Sequence, residues 1–120
     1  MNAAGEAERR QLTVLFCEAV GSTQIAAALG PETWRELLRD YQQGVADIIE
    51  RFDGSVAQYL GDGVVAYFGH PRAHEDDAER ALRAGLAITE LIGAKNPELE
   101  QRFGRSLQVR IGVHTGPVVI

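Results

Sequence analysis

Apolar residues near the start of the chain are spaced first as a strand and then as a short helix. The run Gln11–Val20 is almost continuously apolar, as expected for a buried central strand. In the Gly21–Thr23 turn that follows, Ser22 or Thr23 is placed to cap a short helix that ends at Leu29. The chain is therefore predicted to open on a strand, a turn and a helix.

A longer amphipathic helix is predicted between Gly30-Pro31 and Asp53-Gly54. Glycine followed by proline interrupts the preceding helix, and Pro31 suits the first turn of the next one. Apolar residues then recur every three or four positions, which gives a single apolar stripe. The stripe consists of Trp34, Leu37, Leu38, Tyr41, Val45, Ile48, Ile49 and Phe52.

Two β-rich runs follow, Ser55–Leu60 and Val64–Phe68, with Gly61-Asp62-Gly63 between them. Asp-Gly between two such runs is a strong short-range signal for a β-hairpin. We therefore expect two antiparallel strands with Asp62 in the turn that joins them.

The second half of the chain is predicted to form one helix after a loop at residues 71–77. Glu75, Asp76 and Asp77 suit the positive end of a helix dipole. Gly93–Arg105 is less regular, and Pro97 is expected to break the helix there. The apolar face is predicted to hold Ala78, Ala81, Leu82, Gly85, Leu86, Ile88, Thr89 and Ile92.

A last strand is predicted from the alternation of apolar residues over 107–113. Gly116-Pro117 is expected to turn the chain into a further apolar run, Val118–Ile120. The order strand, two helices, two strands, helix, strand indicates an α+β fold with an antiparallel, ferredoxin-like sheet. We expect residues 1–8 to form a flexible, polar arm and 9–120 to form the domain.

Composition narrows the class of protein. The 120 residues are 45% hydrophobic and 24% charged, which is typical of one globular domain. The net charge of −5 and the dispersed basic residues argue against nucleic-acid binding. No apolar run approaches the length of a membrane span. The single cysteine, Cys17, lies in an apolar run, so we expect a buried, inert thiol and a cytoplasmic location.

Two acidic residues are the candidate ligands of a metal site. Glu18 ends the first apolar run, and Asp62 lies in the hairpin turn, so neighbouring strands would bring them together. Paired carboxylates with phosphates are a common way to hold Mg²⁺, and two such ions serve phosphoryl transfer. The Gly21–Thr23 turn offers backbone N–H groups to a polyphosphate. Each feature also has a plain structural explanation, as a helix cap, a turn residue or a solvated strand end.

Four segments, Leu15–Thr23, Gln58–Gly63, His74–Ala81 and Arg110–Gly116, resemble the catalytic domain of bacterial class III nucleotidyl cyclases. The resemblance implies formation of 3′,5′-cyclic AMP or GMP from ATP or GTP, with release of pyrophosphate. It further implies two Mg²⁺ or Mn²⁺ ions and a dimer, or a pairing with another cyclase domain, whose sites lie at the interface. Residues 9–120 would then be the N-terminal two-thirds of such a domain.

The resemblance also assigns roles to individual residues. Glu18 and Asp62 stand at the two metal-binding positions, and the backbone of Ala19 joins them. Arg110 would face the triphosphate, and Gln58 stands where many members have a purine-selecting lysine. A plain role as an exposed strand residue is equally open for Gln58, and His114 is expected only to pack or cap near its turn. The triphosphate would be held by the backbone of Ala19, Val20, Gly21, Ser22 and Thr23.

Three departures from the family pattern keep alternatives open. Glu18 replaces aspartate, Gln58 replaces lysine, and the chain ends before the family's second base-selecting residue and its transition-state asparagine and arginine. We expect a cyclase, forming cyclic AMP rather than cyclic GMP, that is inactive as this chain alone. The alternative is a degenerate, non-catalytic domain that binds nucleotide or a partner. A polymerase palm or diguanylate-cyclase-like domain is disfavoured, because Leu60–Gly63 is a poor match to its acidic hairpin.

Overall fold

A computed structural model describes residues 8–120. The elements follow the predicted order and confirm the α+β class. They are β1 (Arg9–Val20), α1 (Ser22–Leu29), α2 (Pro31–Arg51), β2 (Ser55–Leu60), β3 (Gly63–Phe68), α3 (Asp77–Phe103) and β4 (Gln108–Val119). Residues 1–7 of the predicted arm lie outside the described part. Glu8, its last residue, exchanges two backbone hydrogen bonds with Ile120.

The four strands of the described part form one antiparallel sheet in the order β2-β3-β1-β4. The hairpin formed by β2 and β3 therefore lies directly beside β1, as predicted. The helices pack on one face of this sheet, which we call the covered face. Its core includes Leu15, Cys17, Val45, Ile49, Val64, Ala66, Phe68, Ala84 and Ile88.

Alternate strand residues point to the opposite face, which we call the uncovered face. The register pairs Phe16 with Val65 and Glu18 with Arg110, so these four residues lie on it. Their neighbours on the same strands are buried in the core or, on β4, half-buried against it, whereas the side chains of these four residues face away from it. The acidic residue at the end of β1 is thus directed away from the core.

The start of α1 differs from the prediction. Gly21 occupies the N-cap position with φ +72°, and no side chain caps the helix, so neither Ser22 nor Thr23 does so. Glycine adopts a left-handed backbone conformation at little cost, and this conformation lets the chain enter the helix at Ser22 without a side-chain cap.

The long helices differ in how well their pattern predicted them. Helix α2 begins with Pro31 and packs its whole predicted stripe against the core, with Tyr41, Val45, Ile48 and Ile49 buried and the other four residues half-buried. Helix α3, by contrast, runs through Pro97 to Phe103 instead of breaking. The amide of Asn96 bonds both backbone groups of Leu107, which anchors this part of α3 to the chain that follows it. No helix formed by residues 8–120 has the length and apolarity needed to cross a membrane.

The apolar face predicted for α3 was partly wrong. Leu82 and Leu86 are 57% and 68% exposed. The predicted Ala81, Gly85, Ile88 and Ile92 are buried, together with Ala84, which was not predicted. The small residues among them let the helix axis approach the sheet closely.

Strand β4 does not turn at Gly116-Pro117, contrary to the prediction. Gly116 pairs with Leu12 and Pro117 pairs with Gln11, so β4 continues to Val119. Among the described strands β4 lies at an edge of the sheet, where the missing N–H of a proline is tolerated. Pairing along the whole length of β1 outweighs the local turn propensity.

Candidate active site

The two predicted carboxylates lie at one end of the sheet. Cys17 pairs with Val64, and one further step in the same register sets Glu18 beside Gly63. Gly63 directly follows Asp62, so β1 and the hairpin turn bring the two acidic residues to the same end. The topology therefore provides the juxtaposition that the sequence suggested.

The hairpin turn presents Asp62 without a partner. Leu60 pairs with Gly63, which leaves Gly61 and Asp62 as a two-residue turn. Gly61 has φ +59°, as the first central residue of a type II′ turn requires. Asp62 is half-buried, and no other residue of the described part forms a hydrogen bond or ion pair with it. Its carboxylate is therefore available to a ligand.

Glu18 already contacts the arginine that was assigned to the phosphates. Arg110 Nη1 lies 3.3 Å from Glu18 Oε1 across the β1–β4 register. The arginine side chain is 71% exposed and the glutamate 33% exposed. An ion pair this exposed contributes no more than about 1 kcal/mol. Arg110 therefore partly neutralises the charge of Glu18, and it can leave this ion pair at small cost.

A buried polar pair lies beneath the carboxylates. Cys17 Sγ and Tyr41 Oη are 3.2 Å apart, and both side chains are buried, as predicted for the thiol. Burial raises the pKa of the Cys17 thiol, the bond from Tyr41 partly opposes this, and the charges of Asp62 and Glu18 raise it further. Burial likewise raises the pKa of Tyr41 far above its ordinary value, and the same two carboxylates add to that shift. Both carboxylates thus lie near this pair, which stays neutral at physiological pH.

The chain between β1 and α1 forms the third part of the site. Ala19 is buried, whereas Val20, Gly21 and Thr23 are exposed and Ser22 is half-buried. The first N–H groups of a helix have no partner within the helix. The start of α1 therefore offers backbone donors and a positive dipole end close to Glu18.

Two other predicted residues lie further away. Gln58 is exposed on β2 and pairs with Val65, so it shares the uncovered face with Glu18. It lies two strands from β1, which is about 10 Å at ordinary strand spacing, and it is level with Phe16 rather than with Glu18. His114 lies within β4 rather than at a turn, and its ring packs over Gly116.

Sequence reasoning missed one contact in this region. Gln42 Nε2, on α2, donates to the carbonyl oxygen of Gly61 at 2.9 Å. Gln42 precedes no motif and lies outside the apolar stripe of α2, so no spacing rule selects it. Its proximity to Tyr41 along the chain was the only available hint.

The donor set fits hard divalent cations. Carboxylate oxygens suit Mg²⁺ and Mn²⁺, and Mg²⁺ is usually held by one or two carboxylates together with substrate phosphates. Within residues 8–120 no group of three or more His, Cys, Asp or Glu side chains is arranged to hold a metal. Glu18 and Asp62 are thus suited to a cation whose coordination a nucleotide completes.

An antiparallel α+β domain with two carboxylates at one sheet end, beside a helix start that no side chain caps, has the architecture of nucleotidyl cyclase catalytic domains. The chain belongs to the adenylate and guanylate cyclase catalytic domain family, whose pattern matches residues 6–120. It is 30% identical over 112 residues to adenylate cyclase 1 of Rhizobium meliloti, covering 93% of this chain and 17% of that protein.

Solved structures of cyclases also match this chain. The adenylyl cyclase CyaB from P. aeruginosa matches with a TM-score of 0.88 and 26% identity, over 95% of this chain and 60% of that one. The guanylyl cyclase Cya2 matches with a TM-score of 0.86 and 31% identity, over 94% and 57%. The chain thus spans about three-fifths of the solved cyclase domains it matches.

Proposed function

We propose that the chain forms 3′,5′-cyclic AMP, in preference to cyclic GMP, and pyrophosphate at a site completed by a second cyclase domain. The observation that carries the proposal is the convergence of Glu18, Asp62 and the start of α1 at one end of a cyclase-family sheet. The similarity to a rhizobial protein named as an adenylate cyclase supports the choice of ATP.

In the proposed reaction the ribose 3′-oxygen attacks the α-phosphorus. A 3′-O–P bond forms, the bond between the α-phosphorus and the bridging oxygen breaks, pyrophosphate leaves, and the hydroxyl proton passes to solvent. Glu18 and Asp62, with the carbonyl of Ala19, would hold two Mg²⁺ or Mn²⁺ ions. Such ions, when bound, lower the cost of ionising the hydroxyl and of the charge on the leaving oxygen.

Groups of the chain itself would hold the triphosphate and the base. The N–H groups from Val20 to Thr23 are placed to donate to phosphate oxygens. Arg110 would exchange Glu18 for a phosphate, which a mostly exposed guanidinium can do at small cost. Gln58 carries both a donor and an acceptor, so it can bond either purine edge.

The second domain is expected to supply the groups that stabilise the transition state. Family members build each site from two chains, and this chain covers three-fifths of the solved domains. Loss of one such electrostatic donor commonly lowers the rate about a hundred- to a thousandfold. We therefore expect almost no product from this chain alone.

The experiment pairs this chain with a related cyclase domain whose own two metal-binding aspartates are replaced by asparagine. Product is measured by chromatography with ATP or GTP and with Mg²⁺ or Mn²⁺. Cyclic nucleotide from the mixture, and its loss with Asp62→Asn, is the expected result, because only this chain then supplies the metal carboxylates. If the pair forms and yields no product, the catalytic proposal is wrong.

A second candidate is a non-catalytic cyclase homology domain that binds nucleotide or a partner. Glu18, paired with Arg110 where the family has aspartate, is the observation that favours it. The Glu18→Asp variant separates the two. A mixture that is silent with Glu18 and active with aspartate would identify a degenerate metal position.

A further inference from the structure

Two consecutive residues of α2 each bond the residue that immediately precedes a carboxylate. Tyr41 Oη contacts Cys17 Sγ at 3.2 Å, and Cys17 precedes Glu18. Gln42 Nε2 donates to the carbonyl of Gly61 at 2.9 Å, and Gly61 precedes Asp62. One turn of one helix is therefore connected to both halves of the candidate metal site.

Helix α2 is a rigid base for these contacts. It has 21 residues, and its buried positions around the contact include Val45, Ala46, Ile48 and Ile49. Successive helix residues point about 100° apart. Tyr41 thus reaches down to β1 while Gln42 reaches sideways to the hairpin, and neither contact disturbs the other.

We propose that Tyr41 and Gln42 are positioning residues that fix the separation of Glu18 and Asp62 for divalent cations. The inference rests on the proposed function, since it assumes that these two carboxylates bind the metal. Binding constellations lose strength when their groups drift by more than about 0.5 Å from the required geometry. In the described residues the β1–β3 pairing ends at Cys17 and Val64, one residue short of Glu18 and two short of Asp62.

The Gln42 contact points to positioning rather than to folding. It is an exposed contact, and the Gly61 carbonyl could bond water in its place. The neighbouring Gln43 makes a comparable exposed bond to Asp47, 2.8 Å long, within the helix. Gln43 touches neither carboxylate, so it provides a matched control on the same helix.

The test measures Mn²⁺ binding to this chain by the loss of the free-ion electron paramagnetic resonance signal, with a non-reactive ATP analogue present. Gln42→Met keeps the side-chain length and removes the donor. We expect it to weaken Mn²⁺ binding about three- to tenfold, the effect of one hydrogen bond. Gln43→Met is expected to leave the affinity unchanged. Tyr41→Phe keeps the buried ring and is expected to weaken binding similarly.

Thermal melting of each variant separates positioning from stability. The proposal requires Gln42→Met to change Mn²⁺ affinity while its melting temperature stays close to that of Gln43→Met. Unchanged affinity in the Gln42 variant, with folding intact, overturns the proposed role of Gln42, and unchanged affinity in the Tyr41 variant overturns that of Tyr41. Asp62→Asn distinguishes a failure of the positioning role from a failure of the proposed metal site. If Mn²⁺ binding survives that change, the proposed metal site is itself wrong, and the positioning role is wrong with it.

Discussion

The two ends of the sheet treat their polar groups in opposite ways. At the end where β3 runs out, Arg10 donates to His70 Nδ1 at 3.0 Å and to the carbonyl of Gly69 at 3.2 Å. Ser55 Oγ donates to the carbonyl of His70 at 2.8 Å. At the other end, Asp62 contacts no partner within residues 8–120, and Glu18 is met only by the exposed Arg110.

The contrast separates structure from function within one small sheet. Polar groups that satisfy one another lower the energy of the folded chain and have little left to offer a ligand. Polar groups left free, next to unpartnered helix N–H groups, contribute little to folding but can bind. Changes at the carboxylate end should therefore alter metal binding and activity, whereas changes at the opposite end should alter stability. Each of the following predictions can contradict that separation.

The largest effect is expected from Asp62→Asn compared with Asp77→Asn. Removing the charge of Asp62 should lower product formation by the mixed pair at least about a hundredfold, because a metal ligand is lost. Asp77 lies at the other end, where its Oδ2 accepts from the backbone N–H of His74 at 2.9 Å and its Oδ1 lies 3.5 Å from His74 Nδ1 without forming a hydrogen bond. Asp77→Asn should keep Mn²⁺ binding and lower the free energy of unfolding by about 1 kcal/mol. Equal effects of both variants on Mn²⁺ binding would contradict the separation.

The next effect is expected from Arg10→Met. Its two hydrogen bonds join the start of β1 to the end of β3, so its loss should lower the free energy of unfolding by about 1–2 kcal/mol. Urea denaturation measures this, with Arg9→Met as the neighbouring control. A change in Mn²⁺ affinity would show that the two ends are coupled.

Glu18→Asp should change metal preference by several-fold. Shortening the side chain should weaken the 3.3 Å contact with Arg110, and aspartate is the residue that the family resemblance leads us to expect at this position. Because Mg²⁺ demands near-ideal octahedral geometry at about 2.0–2.1 Å, we expect affinity for Mg²⁺ to rise relative to Mn²⁺. Competition between the two ions, followed by the Mn²⁺ resonance signal, measures the ratio. A ratio identical to that of the unaltered chain would mean that the extra methylene is accommodated freely.

The smallest effect concerns pH at the carboxylate end. Burial raises the pKa of Cys17 above its ordinary value of 9.0, so the unfolded chain loses this proton first as pH rises. The contribution to stability is complete well below that value, is about 0.4 kcal/mol smaller at pH 9, and declines further above it. Chemical denaturation from pH 7 to 9.5 measures the decline, which Cys17→Ser should reduce. An unchanged slope in Cys17→Ser would assign the decline to other groups.

The sequence predicted the elements whose local pattern and tertiary role agree. The hairpin around Asp62 and the stripe of α2 are such cases, and both are confirmed. Local rules failed where long-range contacts outweighed them. Pro97 remains inside α3 beside the Asn96–Leu107 bonds, and Pro117 remains in β4 because β1 pairs along its whole length.

The candidate site was predicted less completely than the fold. Motifs identify groups that contact a ligand, so they pointed to Glu18, Asp62 and Arg110, whose roles stay predictions. They carry no information about Gln42, since its bond to Gly61 depends on how α2 crosses the hairpin. The pairing of Glu18 with Arg110 likewise depends on the β1–β4 register, which no local pattern encodes.

The burial of Cys17 makes its thiol a reporter of local opening. Its thiol can meet an alkylating reagent only when the end of β1 separates from α2, so the rate of labelling counts those openings. Any ligand that draws Glu18 and Asp62 together should close that route and slow the reaction. A mass-spectrometric time course of Cys17 alkylation would thus report occupancy of the site through a sulfur atom that the ligand does not contact.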